Sequence, residues 1–126
     1  MSIYDTIGAR TIINAKGTST RVSGALLAPE VTAAICQAGY FVSVTPEVCY
    51  RERDQHLVQL VPLANLLLES DGPWPYNGEF AGHPTTPALV ARTAVEVARL
   101  KGVSVAEVQE ITTANARRLF GREWTR

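Results

Sequence analysis

A carboxylate stands directly after the most apolar short run of the chain. Asp71 follows the segment 66–70, in which three consecutive leucines lead into Glu69 and Ser70. An uninterrupted apolar run is typical of a parallel strand that is covered on both faces. Polar residues after such strands lie at the carboxyl edge of the sheet, where α/β proteins bind metals and ligands. Asp71 is therefore a candidate to bind a divalent metal or to accept a proton from a metal-bound water.

The same residues also support a purely structural interpretation. Gly72 and Pro73 follow Asp71, and Asp-Gly-Pro is common turn chemistry in which the aspartate side chain caps the backbone. The local sequence by itself favours this cap over a metal ligand.

The chain has two histidines, His56 and His83, as further candidates for metal or substrate chemistry. His56 falls on the polar side of a predicted helix, which indicates a solvated surface residue. His83 lies in a long predicted loop, about residues 72–86, and such loops are usually functional or disordered. A metal site needs several convergent ligands, and one aspartate with one loop histidine does not make one.

The elements that must position these residues alternate between strand and helix from residue 40 onward. Strands are predicted over residues 40–45 and 66–68, and helices over 51–60, 86–101 and from 104, with a last helical segment from 113. In that last segment we expect Ala116, Leu119 and Phe120 to point inward. Before residue 40 the pattern predicts a β-type run at 11–13, a loop over 14–20 and a helix from Pro29 to the stop at Gly39. This order predicts parallel strands joined by right-handed helical crossovers.

Length and composition restrict the class of protein. The chain has 126 residues, 46% of them hydrophobic, with 12 basic and 12 acidic side chains and two cysteines. These values indicate one globular domain without a disulfide framework and without the basic field of a nonspecific nucleic-acid binder. The sequence shows no signal peptide or membrane span, so we expect a cytoplasmic protein with no membrane partner. A full (β/α)₈ barrel needs about 250 residues, so the chain can hold only part of one.

Three segments resemble the C-terminal end of TatD-family metal-dependent hydrolases. They are residues 39–48 (GYFVSVTPEV), 61–73 (VPLANLLLESDGP) and 112–121 (TTANARRLFG). The resemblance implies an α/β fold that forms a partial TIM-like barrel, its last two β/α units, behind an N-terminal strand-loop-helix extension. It also implies that Asp71 is the family's strand-end aspartate, a metal ligand and proton acceptor, with Ser70 in place of the usual threonine. His83 matches a position on the substrate side.

The family's remaining ligands have no counterpart in this sequence. They include a His-x-His pair and a glutamate on an earlier strand, and the chain contains no His-x-His. The resemblance therefore implies a divalent metal in the parent family and none bound by this chain alone. We expect a truncated TatD-like hydrolase of deoxyribonuclease type, acting on ester bonds and inactive alone. Nucleic acid is a partner only by resemblance, and unpaired barrel edges predict self-association.

The beginning of the chain resembles a different family. Residues 3–18 (IYDTIGARTIINAKGT) and the segment that follows are similar to the start of selenocysteine-synthase-like, pyridoxal-phosphate-dependent proteins, which include ammonia lyases. That family's Schiff-base lysine lies far downstream, so Lys16 is not its counterpart. The chain is thus predicted to be chimeric, with residues 1–35 from one family and 36–126 from the other. The alternative functions are a non-catalytic binding module, through the aromatic loop at Trp74 to Tyr76, or a fragment of a pyridoxal-phosphate-dependent protein.

Overall fold

The structure of the chain is a computed structural model that describes residues 9–14, 17–22 and 29–121, with side chains from residue 29 onward. The strands are β1 (Ala9–Asn14), β2 (Gly17–Val22), β3 (Val42–Val44) and β4 (Leu66–Leu68). The helices are α1 (Pro29–Gln37), α2 (Glu52–Leu60), α3 (Leu89–Lys101) and α4 (Val105–Phe120). Short 3₁₀ turns at Pro46–Cys49, Leu63–Asn65 and Gly78–Phe80 complete the order. Lys16 lies outside the described residues.

An antiparallel hairpin precedes the helices. β1 pairs with β2 from Ala9 opposite Val22 to Asn14 opposite Gly17. The predicted strand at 11–13 is confirmed. The predicted loop over 14–20 is wrong at 14 and 17–20, which are in β1 and β2, while residues 15 and 16 lie outside the described residues. β-Branched residues recur at every second position of β2, at Thr18, Thr20 and Val22, and this strand pattern outweighs the small, polar composition.

The second sheet contains the segments with the predicted alternation of strand and helix. β3 and β4 are parallel, with Val42 opposite Leu66 and Val44 opposite Leu68. α2 is the crossover between them, and α3 and α4 follow β4. This mixed α/β arrangement, two β/α units with a short parallel sheet, confirms the predicted fold class of a partial TIM-like barrel.

The core lies between this sheet and the helices. Val42, Val44 and Leu66 meet Val58 of α2, Val97 of α3 and Val108 of α4, and all are at most 5% exposed. Helix residues spaced by three and four supply this apolar stripe, as the periodicity predicts. Of the three leucines in β4, Leu66 is buried, whereas Leu67 and Leu68 are half-buried, so the described residues cover this strand only in part.

Two helix boundaries differ from the prediction. α3 begins at Leu89 because the backbone at Thr86 and Pro87 first forms a tighter turn, in which the Leu89 and Val90 amides donate to the Thr86 and Pro87 carbonyls. α4 continues without a break through Thr113 to its left-handed end at Gly121. Leu119 and Phe120 are 48% and 62% exposed, so their predicted inward orientation is wrong. None of the described helices is long and apolar enough to cross a membrane.

Two asparagine side chains hold the start of β4 in place. Asn115 of α4 is 2% exposed and donates to the carbonyl oxygens of Leu63 at 2.9 Å and Leu66 at 2.8 Å. Asn65 donates to the carbonyls of Cys36 at 3.2 Å and Tyr40 at 2.9 Å, before β3. Both amides add side-chain donors to backbone carbonyls around the two short strands, and a buried carbonyl that loses a donor is costly.

We expect Asn115→Ala to lower the free energy of unfolding by about 2 kcal/mol, because two hydrogen bonds from a buried amide to the Leu63 and Leu66 carbonyls are lost. Gln109→Ala, at an exposed position of the same helix, is the matched control and should change it by no more than about 0.5 kcal/mol. Urea unfolding monitored by circular dichroism measures both. Equal midpoints for the two variants would contradict the role given to Asn115.

Candidate functional site at the carboxyl edge of the parallel sheet

The polar residues that end β3 and β4 meet at one edge of the sheet. The Glu69 amide donates to the Val44 carbonyl at 2.9 Å, which extends the strand pairing by one residue. On the side chains, the Ser43 hydroxyl donates to Oε2 of Glu69 at 2.6 Å. Parallel strands bring their carboxyl ends to the same edge, so Ser43 and Glu69 lie at the edge after which Asp71 follows.

Asp71 lies two residues after Glu69 and has an uncommon backbone conformation. Its φ is +50°, in the left-handed region that aspartate and asparagine tolerate better than most residues. The turn that follows is closed by backbone groups, because the Trp74 amide donates to the Asp71 carbonyl at 3.0 Å. No described residue donates a hydrogen bond to the Asp71 carboxylate, and the residue is exposed. The side-chain cap favoured by the local sequence is therefore wrong for this turn.

The buried side chain of Tyr76 contacts the backbone between β4 and Asp71. It is 3% exposed, and its hydroxyl donates to the carbonyl of Ser70 at 2.9 Å, one residue before Asp71. Burial raises the pKa of Tyr76 to about 12, with the carboxylates of Asp71, Glu47 and Glu69 adding to the rise. A hydrogen bond with the Thr45 side chain lowers the pKa in part. The phenol thus stays neutral and remains a donor to the backbone that carries Asp71.

The end of the long loop after Asp71 contacts the beginning of the same loop. Thr85 Oγ1 donates to the carbonyl of Trp74, and a Cβ on Gly72 would lie 3.3 Å from the Thr85 carbonyl oxygen. This closure brings the segment that contains His83 back to the segment that begins at Asp71. His83 itself is exposed, and its amide donates to the Phe80 carbonyl at 3.0 Å.

The middle of the loop is held by packing against the body of the protein. The rings of Tyr76 and Phe80 meet edge to face, with centroids 6.4 Å apart. Gly78 has a φ of +61° and approaches Tyr50 so closely that a Cβ would lie 3.0 Å from the ring. Glu79 forms a bidentate pair with Arg92 of α3, at 2.8 and 3.1 Å. The middle of this loop is therefore attached to Tyr50 and to α3.

The predicted site residues are only partly brought together. Asp71 lies at the sheet edge and His83 in the returning loop, whereas His56 is exposed on α2, 3.9 Å from Glu52. Asp71 offers the oxygen ligand that hard divalent cations prefer. Within residues 29–121, however, no three His, Cys, Asp or Glu side chains converge to hold a metal. These residues do not fit a complete metal centre. Cys36 and Cys49 are free thiols, and burial raises the pKa of Cys49 to about 11.

Sequence reasoning missed three contributors to the edge. Ser43 could have been found, because it alternates with Val42 and Val44 and must face away from the core. The roles of Glu69 and Tyr76 depend on contacts with residues 26 and 6 positions away, which local patterns do not reveal.

Comparison with known proteins identifies the family of the chain. The sequence profile of the family described as TatD related DNase matches residues 26–121, which is most of the chain. The chain belongs to the TatD family.

Individual relatives agree with this assignment. The TatD-family chain is 37% identical over 92 residues to the deoxyribonuclease TATDN3 of Homo sapiens, covering 73% of this chain and 33% of the relative. It is 34% identical over 93 residues to the metal-dependent hydrolase YcfH of Escherichia coli K12, covering 72% and 35%. The 3'-5' ssDNA/RNA exonuclease TatD of Erwinia tasmaniensis is 33% identical over 99 residues, covering 73% and 38%.

Solved structures share the fold. The TatD homologue YjjV from Escherichia coli K12 superposes with a TM-score of 0.67 and 29% identity, over 80% of this chain and 39% of YjjV. The TatD-family chain spans about a third of the length of the curated relatives it matches. The TatD resemblance of the sequence is thus confirmed. The resemblance of residues 1–35 to selenocysteine-synthase-like proteins stays a prediction.

Tyr76→Phe tests the support under Asp71 in this TatD-family chain. The raised pKa means that folding favours the neutral phenol, so this contribution to stability is complete below about pH 10 and is lost as the pH rises through about 12. Tyr76→Phe should therefore lower the free energy of unfolding by about 1 kcal/mol at pH 8. The difference from wild type should shrink between about pH 10 and 12. Urea midpoints across this range measure it, and a difference that is independent of pH would refute the assignment.

Proposed function

We propose that the chain provides the strand-end carboxylate of a TatD-type hydrolase that acts on phosphodiester bonds of nucleic acid. The observation that carries this is the position of Asp71. It follows Glu69 and Ser70 after the end of β4, at the carboxyl edge of a parallel sheet, with an exposed carboxylate to which no described residue donates. Reactive groups of barrel enzymes lie at this edge.

The substrate class follows from the relatives. Similar proteins carry the names deoxyribonuclease and ssDNA/RNA exonuclease, and YcfH is named a metal-dependent hydrolase. For the complete site in which Asp71 would act, we propose a nucleic-acid ester as the substrate and a divalent metal as the cofactor. In this proposal Asp71 is a metal ligand and proton acceptor, and His83 faces the substrate from the returning loop.

We further propose that these 126 residues do not hydrolyse nucleic acid by themselves, as a truncated version of the enzyme. A divalent cation with catalytic function needs several protein ligands around it. The chain contains two histidines, and His56 lies on α2, paired with Glu52. The remaining ligands must come from other residues than those described. The binding-module and pyridoxal-phosphate hypotheses stay predictions.

The purified chain should show no cleavage of single-stranded DNA above the background of the buffer, with Mg²⁺, Mn²⁺ or Zn²⁺ added. Asp71→Asn should be indistinguishable from wild type in this assay. Human TATDN3, as a full-length relative, is the positive control. Metal-dependent cleavage by the wild-type chain that Asp71→Asn abolishes would disprove inactivity while supporting the role of Asp71.

A chimera tests the role of Asp71 where the other ligands are present. Residues 36–121 replace the matching segment of the Erwinia exonuclease, and cleavage of single-stranded DNA is measured. Asp71→Asn should lower kcat by about 100-fold or more, since it removes a proton acceptor and ligand. Asparagine tolerates the left-handed backbone conformation, so the loss is not an effect of strain.

Glu69→Gln in the same chimera is the matched control, because it removes a neighbouring charge and keeps an acceptor for Ser43. It should lower kcat by less than about tenfold. Equal losses for both variants, or a folded chimera without activity, would contradict the proposal.

A further inference from the structure

The long loop after Asp71 leaves one of its large aromatic side chains on the surface. Tyr76 and Phe80 are 3% and 7% exposed and pack edge to face. Trp74 is 57% exposed, and no described residue accepts a hydrogen bond from its indole nitrogen. Exposure alone does not indicate a ligand, because single apolar residues are common on protein surfaces. The position of Trp74 in the loop supplies the second observation.

The backbone that carries the Trp74 side chain is held on both sides. The Trp74 amide donates to the Asp71 carbonyl at 3.0 Å, and the Trp74 carbonyl accepts from the Thr85 hydroxyl. The neighbouring Pro73 and Pro75 restrict the chain further, because the proline ring fixes φ. The indole therefore projects from a fixed backbone, and a bound ligand would restrict only the two side-chain torsions of the tryptophan.

The same turn places Trp74 close to the candidate carboxylate. An amide that donates to the carbonyl three residues earlier closes a four-residue turn, and such a turn brings its first and last Cα atoms within about 7 Å. Asp71 and Trp74 are these two residues, and both are exposed. A chain-like ligand with one group at Asp71 can therefore place an adjacent group against the indole.

We propose that a base of single-stranded nucleic acid stacks on the Trp74 indole while the adjoining phosphodiester lies at Asp71. The ligand class rests on the proposed function, but the stacking itself requires no catalysis by this chain. Every base has a π face, and stacking on an aromatic side chain contributes about 1–3 kcal/mol per base. In a duplex the neighbouring bases cover these faces. The contact therefore selects single strands over duplexes.

Charge favours contact with a base over contact with a phosphate at this position. Glu69 and Asp71 are acidic, and the sequence of residues 72–86 contains no lysine or arginine that could pair with a phosphate. A neutral indole attracts a base without any charge of its own. The contribution of Trp74 to affinity should therefore be independent of salt, whereas phosphate contacts weaken as the salt concentration rises.

The experiment compares two ligands on the wild-type chain and its variants, with a metal chelator present so that no strand is cleaved. The probes are a short oligodeoxyadenylate and an abasic strand of the same length, and fluorescence anisotropy of an end label measures each dissociation constant. Trp74→Ala should raise the dissociation constant of the oligodeoxyadenylate about tenfold and leave that of the abasic strand unchanged. Trp74→Phe keeps a π face and should lose less affinity than Trp74→Ala.

Two further variants serve as controls. Phe120 at the end of α4 is 62% exposed, and Phe120→Ala should leave both dissociation constants at their wild-type values. Trp124 is the second tryptophan of the chain and lies outside the described residues. In Trp124→Phe, all tryptophan fluorescence comes from Trp74. The oligodeoxyadenylate should quench that fluorescence, and the abasic strand should not.

Three results would overturn the proposal. They are a wild-type chain that binds the oligodeoxyadenylate no better than the abasic strand, a Trp74→Ala variant that weakens both ligands equally, and unquenched Trp74 fluorescence at saturation. Asp71→Asn should bind the oligodeoxyadenylate at least as tightly as wild type, because no metal is present and one negative charge is removed. These binding results are separate from the kcat of the chimera, so failure of stacking and failure of the catalytic role of Asp71 are distinguished.

Discussion

The parallel sheet depends on one buried amide. Three-residue strands have few pairing bonds of their own, so the approach to β4 needs hydrogen-bond donors from elsewhere. Asn115 provides them from α4, across 49 positions of sequence, through its bond to the Leu66 carbonyl. Arg118 donates to the Asn115 side chain at 3.0 Å and so fixes the orientation of the amide. A polar group in the interior thus determines where an apolar strand begins.

The other end of β4 is determined by that starting point. Once Leu66 is fixed, the register with β3 places Glu69 beside Ser43 and leaves Asp71 just beyond the sheet. Tyr76 then reaches back to the Ser70 carbonyl, and the returning loop closes on Gly72 and Trp74. The orientation of the Asp71 carboxylate is therefore the result of contacts along the whole length of β4, from α4 to the loop.

The elements after residue 29 could be predicted from the sequence, because the spacing of their apolar residues and the signals at their ends are local. The Pro29 start, the Gly102 stop and the Ser104 cap, which accepts from the Glu107 amide at 3.1 Å, all follow from neighbouring residues. The hairpin and the continuous α4 were missed because composition hid a period of two in β2 and Thr113 resembled a start signal. Asp71 could be located from strand order, but Glu69 and Tyr76 act through tertiary contacts that no local pattern encodes.

The contact between Gly78 and Tyr50 links the long loop to the segment just before α2. A Cβ at position 78 would lie 3.0 Å from the ring, tighter than most real contacts, and the Tyr50 hydroxyl also accepts from the Asn77 amide at 3.2 Å. Mutational drift at either position is thus restricted by the other. Asparagine or aspartate at position 78 would tolerate the left-handed backbone but would require the Tyr50 ring to shift, so changes at these two positions are coupled.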